Sequence, residues 1–174
     1  AGLAIAGVNG GPQMDEVEQY NGSTWTELAD LNQTREAGAS ASNSPATDTL
    51  YFGGNSAPIP GQANHTESWN GTSWTETANL IDARSGMGGA GVSNTSALCF
   101  GGESPAVVSV NESWNGTSWT EVNNLNTARA YLAGTGIATA ALAIGGDYAP
   151  AQITNTETYN GTCWTEVNDL NQAT

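Results

Sequence analysis

Residues 67–76 read ESWNGTSWTE, and the same ten letters return at 112–121. Looser copies stand on either side, EQYNGSTWTE at 18–27 and ETYNGTCWTE at 157–166. A word written four times marks an internal repeat, which has to be settled before any other feature is read. The tryptophans Trp25, Trp74, Trp119 and Trp164 recur at intervals of 49, 45 and 45 residues. Five places before each lies a second aromatic: Tyr20, Trp69, Trp114 or Tyr159. Upstream again come LAIAG (3–7), LYFGG (50–54), LCFGG (98–102) and LAIGG (142–146). Ten residues after the tryptophan, in the first three units, comes Arg35, Arg84 or Arg129. These are the only Lys or Arg residues in the 174, so every such cation occupies one repeat position.

Each unit reads as four short strands, a to d in chain order, with approximate unit boundaries 1–35, 36–84, 85–129 and 130–174. The Asn-Gly pairs at 21–22, 70–71, 115–116 and 160–161 are strong hairpin signals between c and d. A two-residue type I′ turn there would set Trp69 opposite Thr72 and Glu67 opposite Trp74. Side chains alternate across a strand, so Glu67, Trp69, Trp74 and Glu76 share a bulky face while Ser68, Ser73 and Thr75 share a thin one. Strand b is a short apolar run, ended by glycines in the last three units at Gly53-Gly54, Gly101-Gly102 and Gly145-Gly146. Strand a, as in GMGGAGV (86–92), is almost all small residues, as expected where strands crowd an axis. Four-stranded units of this length in series predict an all-β fold built as blades of a β-propeller. A solenoid, the competing architecture, favours shorter repeats and has no use for so glycine-rich a strand.

The formal charge is −14, from 17 acids against three arginines, so a basic footprint for nucleic acid is missing. No apolar run approaches the ~20 residues of a membrane span, and no membrane insertion is expected. No signal-peptide pattern opens the sequence, so such a segment is either absent or already removed. Cys99 and Cys163 occupy different repeat positions, and no disulfide between them is expected.

In their order and combined spacing, the Gly-Gly pair, the aromatic of strand c, the Trp of strand d and the following Arg resemble the kelch-repeat family. They stand here as Gly53-Gly54, Trp69, Trp74 and Arg84, then Gly101-Gly102, Trp114, Trp119 and Arg129. The resemblance covers essentially the whole chain and implies a kelch-like propeller of four-stranded antiparallel blades, four units of it here. Ala6-Gly7 in place of the first glycine pair, and Trp where the family usually has Tyr, mark a divergent branch with nearly identical blades. Kelch propellers close with more blades than these units supply. The chain is therefore expected to be a piece of a longer repeat protein, with a small four-bladed ring as the alternative. Blades this alike suit adhesins and phage tail or fibre proteins.

A catalytic set is not evident. His65 is the single histidine, which leaves no zinc pair and no ready base for a triad. GMGGAG (86–91) lacks the lysine and helix of a phosphate loop. No cofactor and no metal are expected. Glu18, Glu67, Glu112 and Glu157 in strand c, and Glu27, Glu76, Glu121 and Glu166 in strand d, recur once per unit. Such recurrence points to a shared structural duty, partnering the arginine of a neighbouring blade or backbone amides. Eight N-x-[ST] sequons occur, four of them inside the hairpin word, where turn geometry is a sufficient cause.

The b–c segments differ wholly between units and carry apolar residues expected to be exposed. They include Pro58, Ile59, Pro60, Pro105, Val107, Val108, Tyr148 and Pro150, with His65 beside them. Variable loops on a rigid scaffold are where recognition resides. The expectation is a non-enzymatic binding or display module, extracellular or on a virion surface, that recognises a cell-surface glycan or protein. Self-association or further repeats of the same protein are expected partners as well. A purely structural repeat segment is the alternative, and a kelch-scaffold hydrolase or epimerase using His65 is a third.

Overall fold

The longer strands fall on the apolar runs, the small-residue runs and the hairpin words of the repeat. A computed structural model describes residues 1–56, 61–148 and 151–173. The first unit carries β1 (Gly2–Val8), β2 (Gln13–Tyr20) and β3 (Trp25–Glu27), followed by the short β4 (Arg35–Glu36). The second carries β5 (Ala39–Ser40), β6 (Thr49–Phe52), β7 (Asn55–Ser56), β8 (Thr66–Trp69) and β9 (Trp74–Glu76). Then come β10 (Gly88–Ser93), β11 (Ser96–Phe100), β12 (Asn111–Trp114) and β13 (Trp119–Val122). The last unit holds β14 (Ala133–Ile137), β15 (Ala140–Ile144), β16 (Asp147–Tyr148), β17 (Ala151–Gln152), β18 (Thr156–Tyr159) and β19 (Trp164–Glu166). Among the described residues there is no helix.

The second, third and fourth units each form a four-stranded antiparallel sheet in chain order: β5-β6-β8-β9, β10-β11-β12-β13 and β14-β15-β18-β19. The first sheet has no inner strand. In it β1 pairs β2 and β2 pairs β3, while β4 joins at Met14 and is itself extended by β7. The protein is thus all-β, a series of antiparallel sheets.

The c–d turn differs from the expected two-residue type I′ form. Trp69 pairs directly with Trp74 and Glu67 with Glu76, so the loop is four residues long. Asn70 avoids positive φ, which only Gly71 adopts, at 91°. Its side-chain Oδ1 instead accepts the amides of Thr72 and Ser73 at 2.9 and 3.0 Å. The same closure recurs at Asn21, Asn115 and Asn160. An Asn that satisfies two amides through its own carbonyl stabilises the wider loop better than one forced to positive φ. Because the register slips by two, Glu67, Trp69, Trp74 and Glu76 still share a face.

That face makes the core. Trp114 and Trp119 of the third sheet bury themselves against Leu50, Phe52 and Leu80 of the second unit. Tyr159 and Trp164 pack on Leu98, Phe100 and Leu125. Trp69 and Trp74 pack on Leu3, Ile5 and Leu31. Phe52 meets Trp119 edge-on at 5.0 Å, as Phe100 meets Trp164 at 4.9 Å. Each such pair contributes roughly 1 kcal/mol beyond its area burial. At two glycines the neighbouring strands stand too close for any side chain: a Cβ on Gly134 would lie 2.6 Å from the Gly89 backbone, and one on Gly89 would run into the Ser40 carbonyl oxygen.

Candidate functional site

Two sets of repeated residues meet between the sheets. Arg35 reaches across to the next unit, where Nη2 donates to Glu67 Oε1 at 2.7 Å and Nη1 donates to the His65 carbonyl at 2.8 Å. Arg84 does the same to Glu112 at 2.6 Å and to the Val110 carbonyl at 2.8 Å. Arg129 stands 3.2 Å from Glu157 and donates to the Asn155 carbonyl at 3.2 Å. All three guanidinium groups are buried. Burial pulls the Arg35 and Arg129 guanidinium groups below their usual range, and the facing glutamate works against that shift. The second carboxylate oxygen is also occupied: Glu67 Oε2 accepts the backbone and side-chain amides of Asn32 at 2.8 and 2.7 Å. Asn126 serves Glu157 identically. A buried charge pair bonded from several sides holds one arrangement of two sheets.

His65 belongs to this joint through its backbone. Val110 and Asn155 supply the same carbonyl in the next two units, so the repeat asks nothing of the imidazole. The His65 side chain itself is half-buried. Among the described residues no group of three His, Cys, Asp or Glu is placed to hold a metal. Both cysteines are free, Cys99 buried and Cys163 exposed.

The glycine pairs explain how the b–c segments leave the sheets. Gly53 and Gly54 both hold positive φ, 64° and 102°, and a Cβ on Gly54 would sit 2.5 Å from the Glu36 carbonyl oxygen. The tight corner sends the b–c segment beside the link that leaves the preceding unit. Ala130 and Asp147 exchange backbone hydrogen bonds at 3.0 and 2.7 Å, and Ser85 pairs likewise with Glu103. Segments of different sequence are thereby pinned at equivalent places just after the glycine pairs.

Of the residues expected there, Pro105 and Tyr148 are exposed, the latter at 52%. Val107 and Val108 are half-buried instead of exposed, because the segment folds back: Val107 bridges Glu103, and the Val108 amide donates to the Gly102 carbonyl. Pro58, Ile59, Pro60 and Pro150 lie outside the described residues.

One residue beside these segments had no signal in the repeat. Tyr131 holds φ 53°, a conformation seldom adopted by a bulky residue, and is 55% exposed. Ala37 and Gly86 occupy the same repeat position at φ 52° and 64°, and the three are strung together: Gly86 N donates to Ala37 O, and Tyr131 N to Gly86 O. The Tyr131 hydroxyl donates to Glu103 at 2.8 Å. That bond, burial, and the negative charges of Glu103, Asp147 and Glu36 push the phenol up. Two exposed tyrosines flanking the Ala130–Asp147 pairing, with carboxylates beside them, can stack on a flat apolar face and accept hydrogen bonds from hydroxyls.

No protein-family signature matches the chain, and no curated protein matches it in sequence. Among solved structures, that of YjhT is similar, with a TM-score of 0.71 over 88% of this chain at 16% identity. The match fills 52% of that chain, so this chain spans about half the length of its structural relative. At such identity the likeness is one of fold alone.

Proposed function

We propose that the four units are blades of a kelch-like β-propeller, or of a segment of one. In this reading the chain is a non-enzymatic binding module displayed outside a cell or on a virion, taking a surface glycan or protein on the rim of b–c segments. The observation that carries it is Tyr131, solvent-exposed, held at positive φ and bonded to Glu103. A strained residue kept in place by its surroundings is a hint of use, because strain of about 1–3 kcal/mol persists only where the fold over-determines it. Aromatic faces beside carboxylates suit sugar rings, whose C–H faces stack and whose hydroxyls donate.

The test is a glycan and surface-protein array probed with the chain and with its Tyr131→Ser and Tyr148→Ser variants. Binding that falls about tenfold or more in either variant, with melting unchanged, supports the rim. Binding indifferent to both removes it. A purely structural role as a repeat segment is favoured by a different observation, the exposed Tyr20 and Trp25 of the first sheet. That reading expects no array signal at all.

A further inference from the structure

Each Asn-closed hairpin loop leaves one backbone amide unused. In the second unit Thr72 and Ser73 both donate to Asn70 Oδ1, and the Asn70 amide donates to the Ser73 carbonyl at 3.4 Å. The Gly71 amide between them donates to nothing among the described residues, and the same holds for Gly22, Gly116 and Gly161. All four glycines hold positive φ, between 90° and 104°. The asparagine Nδ2 in turn donates to the side chain three places on: Thr24 at 3.0 Å, Ser73 and Ser118 at 3.4 Å. In the fourth loop its partner is Cys163 Sγ, at 3.6 Å. All four asparagines are exposed. A side-chain amide is thus set beside a free backbone nitrogen, with two donors on its oxygen and, in three of the loops, a hydroxyl at its nitrogen. Acyl transfer needs those groups in that relation.

We propose that the four Asn-Gly loops are self-modifying sites, at which the glycine nitrogen displaces the asparagine side-chain amine as ammonia. The Gly71 amide gives its proton to a solvent base, and its nitrogen forms a bond to Asn70 Cγ. The charge that gathers on Oδ1 meets the Thr72 and Ser73 amides, already 2.9 and 3.0 Å away. The Cγ–Nδ2 bond then breaks and its electron pair leaves with the nitrogen. That nitrogen takes a proton from the Ser73 hydroxyl and departs as ammonia, while the hydroxyl regains its proton from solvent. Water adds to either carbonyl of the cyclic imide and opens it to aspartate or to isoaspartate, whose backbone runs through the former side chain. No oxidant or cofactor is consumed. Each converted loop adds one negative charge to a chain that already carries −14. The proposal is independent of what the b–c segments bind.

Incubation of the 174-residue chain at neutral pH, followed by digestion and mass spectrometry, reads each loop separately. The imide makes a peptide about 17 Da lighter, and its opening leaves the peptide about 1 Da heavier than at the start. The folded chain is expected to lose these amides at least about tenfold faster than the same chain unfolded in guanidinium chloride. One oxyanion donor alone can supply roughly 100- to 1000-fold. Ser73→Ala should slow the reaction at Asn70 about threefold or more, because the departing amine loses its proton donor. Asn115 lies in the identical ten-residue word, so in the same molecule it should keep its rate and report that the fold is intact. Loss that is equal or faster in the unfolded chain overturns the proposal, as does an Asn70 rate indifferent to Ser73→Ala.

Discussion

The hairpins of the first and third sheets are spelled alike and live differently. Tyr20 and Trp25 on one, Trp114 and Trp119 on the other, sit at the same places on four-residue Asn-closed loops. Their ring separations agree within a few tenths of an ångström, at 5.1 and 5.4 Å. Trp119 is nevertheless buried against Phe52 and donates its indole N–H to Thr66 Oγ1, while Trp25 is half in solvent. The local word dictates the local shape, and only a neighbouring sheet supplies the burial. Stability should therefore follow the joint and not the hairpin.

The largest effect tests that directly. Trp119→Ala removes a ring from a closed core and should cost about 4 kcal/mol, within the range for aromatic truncations. Trp25→Ala should stay within about 0.5 kcal/mol, as for surface changes. Urea unfolding of both variants at a concentration where the chain is monomeric gives the two numbers. Similar losses at the two sites would break the comparison and mean the first hairpin is covered in solution.

The buried charge sharpens it. Arg84→Ala strands Glu112 among Ile81 and Asp82 amides without its guanidinium, at a cost of about 3 kcal/mol. The exposed counterpart Glu18 should tolerate Ala with almost no change in the monomer. Replacing Arg84 by Met and Glu112 by Gln together should cost less than Arg84→Ala alone, because no uncompensated charge remains. A double variant as damaged as the single one would show that the guanidinium matters mainly for the Gly101 and Val110 carbonyls it also bonds.

The contrast also shows what could be read ahead of the structure. Period-two alternation and the Asn-Gly signal were enough for the hairpins, their bulky faces and the all-β class. The same Asn-Gly signal misled on register, because Asn70 closes the loop through its side chain, a competition that spacing alone does not decide. The arginine–glutamate joints were legible as a repeated duty, though not which glutamate answers which arginine. Tyr131 was illegible: its repeat partners are Ala37 and Gly86, so no pattern marks it, and only the backbone at φ 53° and the reach to Glu103 give it meaning. Val107 and Val108 read as exposed apolar residues because composition does not reveal that a loop bonds back onto its own sheet.

The smallest expected effect concerns a thiol inside the joint that separates the second and third sheets. Cys99 is fully buried, and burial pushes its pKa from 9.0 up to about 12. A group raised in the folded state binds its proton where the unfolded chain has lost it. Its contribution is therefore complete below pH 9 and fades as the pH climbs toward 12. The slope is about −1.4 kcal/mol per pH unit across that window. Cys99→Ala should remove this share of the alkaline loss, with Tyr51, whose phenol burial also raises, contributing equally in both proteins. Ala4 and Ala143 already occupy the same repeat position, so the variant should fold. Urea midpoints taken at intervals from neutral pH to pH 11 should show the two curves converging as pH rises. Parallel curves would mean that Cys99 ionises in the folded chain as easily as in the unfolded one. Such a thiol would have to be reached by water, and the joint around it would be as open as the end of the row.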